Sequence, residues 1–118
     1  MKPYYKEKVL CFTWDDANYT HLYMALIFRW FGIRETHFLN TSQLSAHHGF
    51  YHYLYNLIKP LGIDIGSHTQ NHAVVTEIDE NTLRKELENS CQDIINHFGI
   101  TPSTFSHPTS SYNERTDK

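Results

Sequence analysis

Short, mostly apolar runs alternate along the chain with longer segments in which apolar residues recur at helical spacing. The runs predict buried strands, and the longer segments predict helices with one buried face. Strands are predicted over residues 8–14, 33–40, 63–65 and 104–106. Helices are predicted over residues 18–31, the later part of 43–59, and from an N-cap at Asp79 through Phe98 to Gly99. This alternation predicts an α/β fold with a parallel sheet and right-handed crossovers, either open or part of a barrel.

The length and composition predict one globular domain over residues 1–118. A chain of this length can bury one core but not two. The net charge is −3 and no basic cluster stands out, which excludes recruitment by nucleic acid or by an anionic membrane. No apolar stretch of membrane-spanning length and no export signal are visible. As written, the chain is expected in the cytoplasm, or in the cell envelope or secreted if it is a fragment.

Polar side chains that suit catalysis follow the first and third predicted strands. Asp15 and Asp16 close the first apolar run, and His68 and His72 follow the third. Because α/β folds place their chemistry at the ends of strands, these side chains are expected at one site. The four-residue spacing of the two histidines would point both imidazoles the same way on one helical turn.

This donor set has the composition of a catalytic metal site. Two neutral imidazoles and one carboxylate supply three ligands for a zinc-like ion and leave a fourth position for water. The second carboxylate is then free to act as a base on that water. Either pair alone is a weak signal. In a chain with nine histidines, a His-x-x-x-His pair is more often a solvated helix face than a pair of metal ligands. Their shared position at strand ends favours the metal site.

Both motifs resemble those of the polysaccharide deacetylases, the fourth carbohydrate-esterase family. Residues 13–17 read Thr-Trp-Asp-Asp-Ala, similar to the family's Thr-Phe-Asp-Asp-Gly, and residues 68–72 match His-Ser/Thr-x-x-His. Residues 36–40 are similar to the family's second strand, and residues 80–102 to the helix and link that lead into its third motif. The resemblance implies a partial (β/α) barrel of the polysaccharide-deacetylase type, with about four parallel strands alternating with three helices.

The same resemblance implies residue roles. Asp15 would be the catalytic base, and a divalent metal would be held by Asp16, His68 and His72. Zinc is the metal expected first, with cobalt or nickel as alternatives, because such a donor set accepts all three. The substrate would be an N-acetylated polysaccharide such as peptidoglycan, chitin or a capsular polymer, hydrolysed to acetate and a free amine.

The third motif departs from the family pattern. Residues 105–113 read Phe-Ser-His-Pro-Thr-Ser-Ser-Tyr-Asn where the family has Phe-Arg-Pro-Pro-Tyr-Gly-x-Tyr-Asn. Ser106 therefore stands in place of the Arg that orients the base. Contacts to substrate or oxyanion are expected from His107, Pro108, Thr109 and Tyr112. The family's last motifs, which hold the His that protonates the leaving amine, lie beyond Lys118, so the domain is expected to be truncated after its third motif.

Three other interpretations are compatible with the sequence. The chain could be a cytoplasmic amidase for a small linear or cyclic amide. The altered third motif and the missing general acid also fit a catalytically impaired remnant that binds metal or glycan. Finally, the chain could be a fold fragment whose open sheet edge is covered by a partner or by a second copy of itself.

Overall fold

The computed structural model describes residues 10–114 and residue 116, so residues 8 and 9 of the first predicted strand lie outside the described part. Within that part, the strands are β1 (Phe12–Asp15), β2 (Glu35–Leu39) and β3 (Ile63–Ser67). The α-helices are α1 (His21–Trp30), α2 (Phe50–Ile58) and α3 (Glu80–Phe98). Single 3-10 turns cover Thr41–Leu44, His47–Gly49, Lys59–Leu61 and Pro108–Ser110. The predicted α/β alternation is confirmed.

The three strands form one parallel sheet in the order β1-β2-β3. Asp15 is opposite Phe38, and Leu39 is opposite Ser67, so the three strands end level with one another. The residues that directly follow β1 and β3 are Asp16 and His68. The register therefore delivers both to the same edge of the sheet.

The fourth predicted strand is wrong in extent. Phe105 makes one isolated parallel bridge with Ser67 rather than a ladder. The Ser67 N–H donates to the Thr104 carbonyl, and the Ser106 N–H donates to the Ser67 carbonyl, both at 3.0 Å. Pro102 and Pro108 flank this segment, and proline has no N–H to extend a ladder. The expectation of about four strands is corrected to three strands and one bridge within the described residues.

The hydrophobic core lies between the sheet and helices α2 and α3. Its buried members include Leu39, Ile63 and Ile65 from the sheet and Tyr55, Ile58 and Ile94 from the helices. Helix α3 begins and ends as predicted, because Asp79 accepts the Thr82 N–H at 3.0 Å and Gly99 takes a left-handed φ of 69°. This N-cap satisfies one of the free N–H groups in the first turn of the helix.

Helix α1 presents apolar side chains to solvent beside the open edge of β1. Tyr23, Leu26, Ile27 and Phe31 are all exposed, and Trp30 is 87% exposed. β1 pairs with β2 on one side, and no second neighbour is seen among the described residues. The partner or second copy was expected at the other edge, after the predicted fourth strand, and it stays a prediction. Among the helices of the described part, none has the length and apolar character needed to cross a membrane.

Candidate metal centre

Asp16, His68 and His72 converge at the carboxyl edge of the sheet. Asp16 Oδ1 lies 3.3 Å from His72 Nε2 and 3.7 Å from His68 Nε2. One ligand atom from each residue lies within 4.8 Å of the other two. The His68 side chain is 2% exposed, whereas His72 and Asp16 are 37% and 54% exposed. The cluster is therefore anchored on its His68 side and open to solvent on the other.

The spacing of the three donors fits a divalent ion. Metal–ligand bonds of about 2.0–2.1 Å in a tetrahedral site put ligand atoms roughly 3.3 Å apart. The Asp16–His72 pair has that separation, and the Asp16–His68 pair is a few tenths of an ångström wider. His68 Nδ1 lies 2.8 Å from the Ser106 carbonyl oxygen, which can only accept. Nδ1 therefore carries the hydrogen, and Nε2 keeps its lone pair for a metal.

The two histidines lie on a loop, so the prediction that one helical turn aligns them is wrong. Thr69 and His72 take positive φ values of 65° and 57°. The carbonyls that a helix would use are engaged elsewhere, because Thr69 and Gln70 accept the N–H groups of Thr41 and Ser42. The loop after β2 thus holds the loop after β3 in a conformation that turns both imidazoles to one point.

Helix α3 supports the same loop from outside. Glu86 accepts the backbone N–H of Asn71 at 2.8 Å and its side-chain amide at 2.7 Å. Asp93 accepts the Thr41 hydroxyl at 2.7 Å and the Gln70 amide at 3.1 Å. These contacts tie the loops after β2 and β3 to one rigid helix, which fixes the His72 side of the cluster.

Asp15 lies on the opposite face of the sheet from the helices. Phe12 and Trp14 pack on Phe28 of α1, so the strand's alternation turns Asp15 away from them. Asp15 Oδ2 accepts a hydrogen bond of 3.2 Å from the Ser106 hydroxyl. Asp16 has a φ of 66°, which ends β1 and separates the directions of the two carboxylates. The arrangement provides one carboxylate for the metal cluster and a second one held apart from it.

Gly66 lets the segment after α3 approach this face. A Cβ added at Gly66 would lie 2.6 Å from the Phe38 ring and 2.6 Å from Thr104 Oγ1. A side chain at this position would force the Phe38 ring or residues 104–106 to move. The absence of a side chain at Gly66 therefore brings Ser106 within reach of Asp15 and His68.

The predicted third-motif residues form a turn beside the bridge. Pro108 is buried, and Thr109 has a φ of 57° with its hydroxyl donating to the Pro108 carbonyl at 2.7 Å. His107 packs against the rings of Phe105 and Tyr112, with centroids 4.9 and 5.8 Å away. Tyr112 is exposed. These residues share one turn, but none is among the residues of the metal-ligand cluster found in the described part.

A buried polar group lies behind β1 and includes His21 and His37, which were not singled out from the sequence. Both are buried, and burial lowers the pKa of each to about 4. His21 Nδ1 pairs with the Tyr55 hydroxyl, and the Trp14 indole N–H donates to Glu35. Burial raises the pKa of Glu35, whose Oε1 lies 3.2 Å from His37 Nε2. Glu35 and His37 are two residues apart in a strand, so the alternation of side chains predicts that both lie on the same face of the sheet.

Comparisons with known proteins identify the family of the chain and the fold that it shares. The family model described as "Polysaccharide deacetylase" matches residues 2–118. No curated protein sequence matches the chain significantly.

Solved structures share the fold at low sequence identity. Peptidoglycan deacetylase PdaC from Bacillus subtilis is 18% identical with a TM-score of 0.78, over 95% of this chain and 55% of that one. The Streptococcus pyogenes deacetylase PplD, solved with acetate, is 18% identical with a TM-score of 0.84, over 93% and 50%. BA3943 of Bacillus anthracis, a CE4 family pseudoenzyme, is 15% identical with a TM-score of 0.83, over 94% and 39%. The chain thus spans about half the length, or less, of these structures.

Proposed function

Because the chain belongs to the polysaccharide deacetylase family, we propose that it carries the metal-binding part of a hydrolase that removes N-acetyl groups from an amino-sugar polymer. The observation that supports this proposal is the convergence of Asp16, His68 and His72 at the carboxyl edge of the sheet. Asp15 lies next to this cluster in sequence and is held separately by Ser106. That combination provides both a metal site and a base.

Each residue then has a defined task in amide hydrolysis. Asp16, His68 and His72 would hold a divalent ion, with zinc expected first and cobalt or nickel as alternatives. Such an ion lowers the pKa of a bound water and polarises the acetamide carbonyl. Asp15, whose Oδ2 accepts the Ser106 hydroxyl, would take one proton from that water. The water oxygen would bond to the acetyl carbon and leave in acetate, the amide C–N bond would break, and the amine nitrogen would take up a proton from a general acid while the proton on Asp15 is released to solvent.

The open site predicts slow turnover by residues 1–118. Asp16 is more than half exposed, so water surrounds the cluster and weakens the electrostatic contacts that catalysis needs. Protonation of the leaving amine also needs a general acid, which typically contributes about 10²–10⁴ in rate. We expect acetate release well below the ordinary range of about 1–10³ s⁻¹.

Binding without turnover is the second candidate. The Thr109 hydroxyl donates to the Pro108 carbonyl rather than towards the cluster. Thr109 therefore offers no side-chain donor to an oxyanion in the observed conformation, which favours a remnant that binds metal or glycan.

Acetate release by purified residues 1–118, with added zinc or cobalt, tests the proposal. The substrates are chitin oligomers, peptidoglycan oligomers and a small N-acetyl amide. We expect slow release from an oligomer that stops when the metal is chelated. Release from the small amide alone would indicate an amidase, and metal binding without any release would indicate the remnant. A protein that binds no divalent ion would contradict the proposal.

A further inference from the structure

Ser106 contacts both parts of the candidate centre. Its hydroxyl donates to Asp15 Oδ2 at 3.2 Å, and its carbonyl accepts from His68 Nδ1 at 2.8 Å. Its own N–H donates to the Ser67 carbonyl at 3.0 Å, which fixes its backbone to the end of β3. A single residue thus connects the carboxylate assigned as base to one of the histidines assigned to the metal.

We propose that Ser106 is a positioning residue that orients Asp15 through its side chain and His68 through its carbonyl. The carbonyl fixes the His68 tautomer, so that Nε2 points at Asp16 with a free lone pair. The hydroxyl restrains rotation of the Asp15 carboxylate without placing a charge beside it. The effect on hydrolysis rests on the proposed function, whereas the two orienting contacts can be tested in the metal-free protein.

The two contacts can be separated by mutation. The carbonyl position depends on the bridge between Phe105 and Ser67, to which the Ser106 side chain does not contribute. Ser106→Ala should therefore remove the Asp15 contact and leave the His68 contact. Ser106→Thr keeps a hydroxyl at the same position. Ser103→Ala is a matched control, because Ser103 is exposed in the same segment.

NMR of metal-free residues 1–118 tests the orienting contacts directly. In the wild type, the ring ¹⁵N shifts should identify the Nδ1–H tautomer of His68. Ser106→Ala should move the carboxyl ¹³C resonance of Asp15 and leave the His68 tautomer unchanged. Ser106→Thr and Ser103→Ala should both resemble the wild type. An Nε2–H tautomer in the wild type, or an Asp15 resonance that does not respond to Ser106→Ala, would overturn the proposal.

Hydrolysis provides the second readout. With zinc or cobalt bound, Ser106→Ala should lower kcat for acetate release roughly tenfold, as is typical when a group that orients a site is removed. KM and metal affinity should stay unchanged, and Ser106→Thr should restore most of the rate. Equal rates for Ser106→Ala and Ser103→Ala would contradict the positioning role. A wild type that releases no acetate would count against the proposed function, and the NMR result would still decide the role of Ser106.

Discussion

Asp16 Oδ1 lies 3.3 Å from His72 Nε2, a contact that joins the residue after β1 to the loop after β3. The sheet register brings Asp16 and His68 to one edge, but it does not by itself orient His72. The loop reaches this position because Thr41 and Ser42 bind its backbone, and helix α3 binds both its backbone and its side chains. The metal-ligand geometry is therefore a property of two loops and one helix together.

Loss of His72 should remove metal binding while the fold is kept. His72→Asn deletes one ligand and keeps a residue that tolerates the φ of 57° at this position. Mutation of a residue that only hydrogen-bonds to a metal ligand typically lowers metal affinity roughly 10- to 100-fold. Because His72→Asn removes a ligand itself, we expect zinc affinity to fall by more than that. His48→Asn is the matched control, since exposed His48 has the same φ of 57°. Calorimetric titration measures both variants, and equal affinities would remove His72 from the ligand set.

Replacing Asp15 should separate catalysis from metal binding. Asp15→Asn keeps the shape of the side chain and removes its basicity, so acetate release should disappear while metal affinity stays within a few fold. The control is Asp64→Asn, because Asp64 is an exposed aspartate at the other end of the sheet, paired with Arg34. Loss of metal in Asp15→Asn would mean that the roles assigned to Asp15 and Asp16 are exchanged.

Gly66→Ala should destabilise the protein through steric overlap. The added methyl would lie 2.6 Å from both the Phe38 ring and Thr104 Oγ1, so the 104–106 segment or the ring must move. Overpacking of this kind typically costs about 1–3 kcal/mol in the free energy of unfolding, measured by urea denaturation. Adding Thr104→Ala should recover part of that loss. An unchanged midpoint in Gly66→Ala would show that the segment does not pack closely on β3.

Stability should fall as the solution becomes acidic, because His21 and His37 are buried uncharged. Their native pKa of about 4 lies below the ordinary value of 6.5, so the unfolded chain binds protons first. Their contribution is fully present above pH 6.5 and is lost as the pH falls towards 4, at up to roughly 1.4 kcal/mol per pH unit for each histidine.

Glu35 opposes this trend, since its raised pKa costs stability as the pH rises above 4.5. Urea unfolding of the wild type and His37→Gln between pH 7 and pH 5 isolates the contribution of His37. His37→Gln should have a shallower pH dependence than the wild type, whatever its absolute stability. An identical slope would mean that His37 takes up protons equally in the native and unfolded states.

The donor set was predictable from the sequence because its parts are local. Two carboxylates end one apolar run and two histidines follow another, and parallel strands bring such ends together. The loop conformation was not predictable, because the positive φ values of Thr69 and His72 depend on hydrogen bonds from a different loop. From the sequence, Ser106 was interpreted only as a residue that replaces the family's Arg. Its contacts to Asp15 and His68 could not be predicted, because they depend on the bridge between Phe105 and Ser67. Long-range contacts of this kind have no signature in residue spacing.

Anomalous diffraction from zinc-loaded crystals of residues 1–118, collected at the zinc edge, tests the central claim most directly. The account predicts one strong peak about 2.0–2.2 Å from Asp16 Oδ1, His68 Nε2 and His72 Nε2, with Asp15 outside bonding distance. A peak at another histidine pair, such as His52 and His97, whose Nδ1 atoms lie 2.8 Å apart, would contradict it. So would a peak bonded to Asp15 in place of Asp16.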